Sequence, residues 1–141
     1  MKRRSALDIF FGGSLVATIA AFLYPVVRFV LPPKRTGASV DSIVAAQAGE
    51  LAPNSAKVFK FGAAPAILVN TPEGNLVALT AVCTHLTCHV RFDAETRTLF
   101  CPCHNGRFDL GGNVLSGPPP RPLEAFAVTV SGTDIIVSRR G

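Results

Sequence analysis

All four cysteines of the chain and two of its three histidines fall in two short segments, Cys83-Thr84-His85-Leu86-Thr87-Cys88 and Cys101-Pro102-Cys103-His104-Asn105-Gly106. Thiolates and neutral imidazoles bind soft and borderline metals. Here they come as Cys-x-His in the first segment and Cys-x-x-His in the second, each with one further cysteine. Donors spaced this way on two loops make a metal site. A structural zinc ion would take four of them and leave two cysteines without a role. The remaining histidine, His89, matches no ligand spacing and reads as a surface or packing residue.

The two segments resemble the paired motifs of Rieske iron–sulfur proteins, Cys-Thr-His-Leu-Gly-Cys followed by Cys-Pro-Cys-His-Gly-Ser. The resemblance implies one [2Fe–2S] cluster, with Cys83 and Cys101 on one iron and His85 and His104 on the other. It also implies a Cys88–Cys103 disulfide tying the loops together, which requires an oxidising compartment. Soluble Rieske ferredoxins and dioxygenase components generally lack that pair, so the likeness is closer to the membrane-bound, quinol-oxidising subunits. The segment Gly117-Pro118-Pro119-Pro120-Arg121-Pro122-Leu123 is similar to the proline loop of those subunits, and fixed φ angles suit a rigid lid. On this likeness Leu86, Gly117, Pro118, Pro119 and Pro120 shield the cluster, while His104 contacts quinol and accepts its proton.

The activity so implied is electron transfer within a quinol:cytochrome c oxidoreductase of the cytochrome bc or bf type, as a redox subunit not active alone. The implied partners are cytochrome b and a c-type cytochrome in a dimeric membrane complex, with quinol as reductant. Imidazoles in place of thiolates remove negative charge. The family's potentials therefore reach about −150 to +300 mV, against about −400 mV for all-cysteine plant-type ferredoxins. High-potential members carry Ser and Tyr where this chain has Gly106 and Phe108, and those hydroxyls donate hydrogen bonds at the cluster. A lower potential, suited to a quinol such as menaquinol, is the expectation. Thr87 stands where the family pattern has Gly, so that turn is expected to be built differently. Two rival readings stand beside this one. One is the Rieske subunit of a periplasmic molybdenum enzyme such as arsenite oxidase; the other is a zinc-stabilised, membrane-tethered binding module.

The elements that must hold these loops are short apolar runs broken by Gly, Pro and Asn turns. Strands are predicted at Lys57–Phe61, Ala66–Asn70, Asn75–Val82, Arg97–Cys101, Glu124–Val130 and Asp134–Arg139. Turns are predicted at Thr71–Asn75 and Ser131–Thr133, and Val40–Leu51 reads as either a strand or a helical turn. The fold class is all-β: an antiparallel Rieske-type β-sandwich with a metal-binding subdomain over residues 40–141, preceded by one membrane helix.

That helix is read from nineteen residues without a charge, Ile9 to Val27, continuing through Phe29, Val30 and Leu31 to Pro32-Pro33. At 1.5 Å per residue nineteen residues span about 28 Å, close to a bilayer's hydrocarbon core. Arg28 sits where a long side chain can snorkel, and Pro25 is expected to kink the last turns. A cleaved signal peptide would have a shorter apolar core and a small-residue cleavage site, which the sequence after Leu31 does not offer. Segments 1–8, 9–31 and 32–39 thus read as cytoplasmic N-terminus, anchor and flexible Pro-Pro/Gly/Ser tether. Lys2, Arg3 and Arg4 favour a cytoplasmic N-terminus, though Arg28, Lys34 and Arg35 match them in number. Arg3-Arg4 with Leu7 partly resembles a twin-arginine export signal, with Ala6 and Asp8 departing from it. Both readings put the globular domain on the periplasmic side of a bacterial inner membrane. From Lys34 onward ten basic and eight acidic residues are scattered, which gives no basis for binding nucleic acid.

Overall fold

The computed structural model describes residues 3–31 and 40–140; the stretch 32–39, read from sequence as a tether, lies outside them. The chain divides into two units, Met1–Thr36 and Gly37–Gly141. The first contains α1 (Arg3–Val30), which runs continuously through Pro25. Its large apolar side chains, Leu7 and Ile9 through Phe29 and Val30, are all exposed. A helix that is apolar on every face needs an apolar surrounding, and this one is long and apolar enough to cross a membrane.

Among its described residues the second unit holds ten strands, β1 (Ser42–Gln47), β2 (Ser55–Phe61), β3 (Ala64–Asn70), β4 (Leu76–Thr80), β5 (Arg91–Asp93), β6 (Thr98–Cys101), β7 (Gly106–Phe108), β8 (Val114–Ser116), β9 (Ala125–Ser131) and β10 (Asp134–Ser138). They form a six-stranded sheet in the order β1-β10-β9-β4-β3-β2 and a four-stranded sheet in the order β5-β6-β7-β8. Pairing is antiparallel throughout, as the alternation in the sequence implied. The ambiguous segment 40–51 resolves as strand β1. The predicted strand 75–82 stops at Thr80; beyond it Val82 makes only an isolated bridge to His89.

Strands β3 and β4 form a wall with a hydrophobic core on each side. Because side chains alternate along a strand, Ala66, Leu68 and Ala78 join Phe61, Phe126, Ile135 and Val137 in one core. Ile67, Val69 and Leu79 turn the other way and pack with Val90, Leu99, Phe108 and Leu123. Both faces are buried, so the sequence of β3 reads as a continuous apolar run. Each fully buried leucine or isoleucine here contributes roughly 1.5–3 kcal/mol. Cys83 and Cys101 belong to the second core, which joins the two sheets and fixes the loops that begin at these cysteines.

Candidate metal centre

The first loop leaves β4 and is closed by its own backbone. The Cys83 N–H donates to the Cys88 carbonyl at 2.7 Å, and the Thr87 N–H donates to the Cys83 carbonyl at 3.1 Å. Val90 N–H then reaches the Ala81 carbonyl at 2.9 Å, bringing the chain back on itself. Thr87 has φ of +58°, the left-handed backbone that glycine adopts freely. Threonine here holds a conformation that suits glycine.

The second loop is a hairpin tip. Cys101 at the end of β6 lies opposite Gly106 at the start of β7, and residues 102–105 form the turn between them. Asn105 takes φ of +55°, which asparagine tolerates better than most residues. The tips of the two loops are joined by a Cys88–Cys103 disulfide.

Between the loops lies a narrow cavity lined by Cys83, His85, Leu86, Cys88, Cys101, His104, Gly106, Pro118 and Pro119. Cys83 and Cys101 are free thiols and buried, while His104 is exposed. The two Nδ1 atoms of His85 and His104 face each other at 3.3 Å, with the rings steeply crossed at 80°. Two nitrogens bound to one tetrahedral ion at about 2.0–2.1 Å stand roughly 3.3–3.4 Å apart, so both rings are set to share one metal. Burial pushes the Cys83 thiol up, and the neighbouring Cys101 adds to this. Metal coordination reverses that preference, because thiol ligands bind deprotonated. The sulfurs of Cys88, Cys101 and Cys103 also lie within 4.8 Å of one another, but two of them are bonded to each other, so this trio is no ligand set.

Residues 41–139 match the Rieske [2Fe–2S] domain. The chain belongs to the Rieske family. The cytochrome b6-f complex iron–sulfur subunit of Chlorobaculum thiosulfatiphilum is similar at 37% identity over 98% of this chain and 76% of that one. Among solved structures, the cyanobacterial plasma membrane Rieske protein of Synechocystis PCC 6803 is 33% identical with a TM-score of 0.54, over 57% of this chain and 83% of that one. A chain of a hyperthermophilic respiratory Complex III is 26% identical with a TM-score of 0.57, over 91% of this chain and 98% of that one. The donors fit the cofactor of such a Rieske domain: two free thiols and two imidazole nitrogens converge on one cavity, and the other two cysteines are spoken for by the disulfide.

The segment 117–123 borders this cavity, and its residues divide by position. Pro118 and Pro119 line the cavity and Pro119 is buried; Gly117 abuts the backbone of Gly106; Pro120 is exposed and lines nothing there. Leu86 lines the cavity yet is 61% exposed, an apolar side chain at the outer rim. Two supports escaped the sequence reading. The Thr84 hydroxyl donates to the Arg121 carbonyl at 2.7 Å, latching the proline segment to the first loop. Arg107 donates to Asp93 at 3.1 Å, Thr96 at 3.1 Å and Thr98 at 3.0 Å, and its guanidinium lies 4.8 Å from the centre of the Phe100 ring. It ties β5, β6 and β7 together directly behind the second loop. Thr84 stands inside the first motif and Arg107 directly after the second, which was the only sequence signal for either residue.

Proposed function

We propose that this chain is the electron-transfer subunit of a cytochrome bc/bf-type complex, oxidising a membrane quinol of the menaquinol class and delivering the electron to a c-type cytochrome. The observation that carries the proposal is the exposed His104 ring set against two buried thiols in a capped cavity. Cys83 and Cys101 hold one iron; His85 and His104 hold the other. When bound, the [2Fe–2S] group supplies a one-electron acceptor whose potential its imidazole ligands raise above that of all-cysteine clusters.

The chain's own residues do the rest. With Nδ1 of His104 turned toward His85, Nε2 is the ring nitrogen left to meet a quinol hydroxyl and take its proton, a role that the exposure of His104 supports. Leu86 and the Pro118–Pro119 lid give the quinol ring an apolar seat and keep water from the thiolates. The disulfide supports an extracytoplasmic domain, and α1 supports an anchored one with its N-terminus in the cytoplasm. Relatives named as subunits of cytochrome b6-f complexes support assembly in a membrane complex with cytochrome partners.

Purification of the tagged chain from membranes in mild detergent tests the assignment. Cytochrome b and a c-type cytochrome are expected to accompany it, with quinol-dependent cytochrome c reduction in the eluate. Recovery with a molybdenum-containing subunit and no cytochrome b would overturn it.

A further inference from the structure

Gly106 carries no side chain, and its backbone does not demand glycine: its φ lies outside the left-handed region, whereas Gly117 sits at +94°. Space is what excludes a side chain. A Cβ at position 106 would stand 2.8 Å from Cγ and 3.3 Å from Cδ of Pro119. Pro119 is buried, and its ring is closed onto a backbone of fixed φ, so Cγ can shift only by a change of pucker. From the other side, a Cβ at position 117 would stand 2.8 Å from Cα of Gly106 and 3.1 Å from the Asn105 carbonyl oxygen. Lid and loop therefore meet backbone to backbone. Gly106 and Pro119 both line the cavity shared by Cys83, His85, Cys101 and His104.

We infer that Gly106 and Pro119 are a coupled pair: while Pro119 fills this space the lid seats only on glycine, and no side-chain donor reaches the cluster from position 106. The inference rests on the cluster assignment above and extends it to what holds the potential down. Hydrogen bonds donated to cluster sulfurs favour the more negative, reduced state and so raise the potential. Pro119 acts as a positioning residue, fixing the potential through the neighbour it permits.

The test compares G106S, P119A, G106S/P119A and the donor-free control G106A/P119A with the native protein, each as the full chain carrying its cluster. Three quantities are measured: the rate of bleaching in the presence of a chelator, the midpoint potential, and the thermal unfolding midpoint. G106S is expected to bleach roughly tenfold faster than native. Adding P119A is expected to return that rate to the native value, with a midpoint potential above both the native protein and G106A/P119A. Native bleaching in G106S, or a G106S defect that P119A leaves in place, overturns the coupling. Native protein that holds zinc and no iron shows a failure of the cluster assignment instead. In that case the thermal midpoints still decide the packing claim: a G106S loss recovered in G106S/P119A supports it, and additive losses reject it.

Discussion

At the residue scale, the site was legible wherever chemistry restricts the amino acid and illegible wherever only geometry does. Cysteine and histidine spacing revealed the donors because few other residues bind such metals. Thr87 and Asn105 gave no comparable signal, since a φ of +58° or +55° cannot be read from a threonine or an asparagine alone. Left-handed backbone costs a β-branched residue about 1–2 kcal/mol, while glycine loses about 0.5–1 kcal/mol more entropy on folding. Thr87 is exposed, so T87G removes little packing. It is expected to raise stability by about 0.5–1 kcal/mol, read as a higher denaturant midpoint; a lower midpoint would show that threonine is not strained there. Asp93 offers a pH test. Hydrogen bonds from Thr96, chiefly its side chain and then its backbone, together with Arg107, hold the Asp93 carboxyl well below its ordinary 3.8, at about 2. A depressed carboxylate stabilises the fold above its unfolded pKa, and that stability fades as pH falls through the folded value. Wild type is therefore expected to lose stability between pH 3.8 and about 2 more steeply than D93N. Equal slopes in acid denaturation would contradict this.

At the element scale, the long strands were visible and the three-residue ones were not. β2, β3, β9 and β10 show alternation or unbroken apolar runs, and Gly132 at φ of +60° marks the tight turn between the last two. β5, β7 and β8 have three residues each, too few for any period to emerge. They exist because the second core and the Arg107 hydrogen bonds hold them, which are long-range effects. The sequence therefore announced the larger sheet and hid most of the smaller sheet that carries the second loop. The disulfide joins loops 15 residues apart in sequence. Loop-closure entropy for that separation amounts to about 3 kcal/mol. C88S/C103S is expected to lose roughly that much in chemical denaturation and to release its cluster faster. A loss below about 1 kcal/mol would mean that the second core alone fixes the loops.

At the scale of the whole molecule, the division into an apolar helix and a β domain followed from composition. A mean hydropathy of +0.37 over the chain is concentrated in one charge-free run. What composition could not convey is that β3 and β4 serve two cores at once, so that the site hangs from the same wall that stabilises the rest of the domain. The helix and the β domain divide the work: α1 is fit to hold the chain in a bilayer, and the second core holds two loops around one cavity.

Everything proposed for this molecule depends on two histidines and two free cysteines binding one two-iron cluster. Pulsed electron paramagnetic resonance of the reduced full-length protein, with iron, sulfide and zinc quantified on the same sample, addresses it most directly. The reduced protein is expected to give a rhombic signal carrying hyperfine couplings from two imidazole nitrogens, with two irons and two sulfides per chain. A signal without nitrogen coupling, or zinc with no signal, would contradict it.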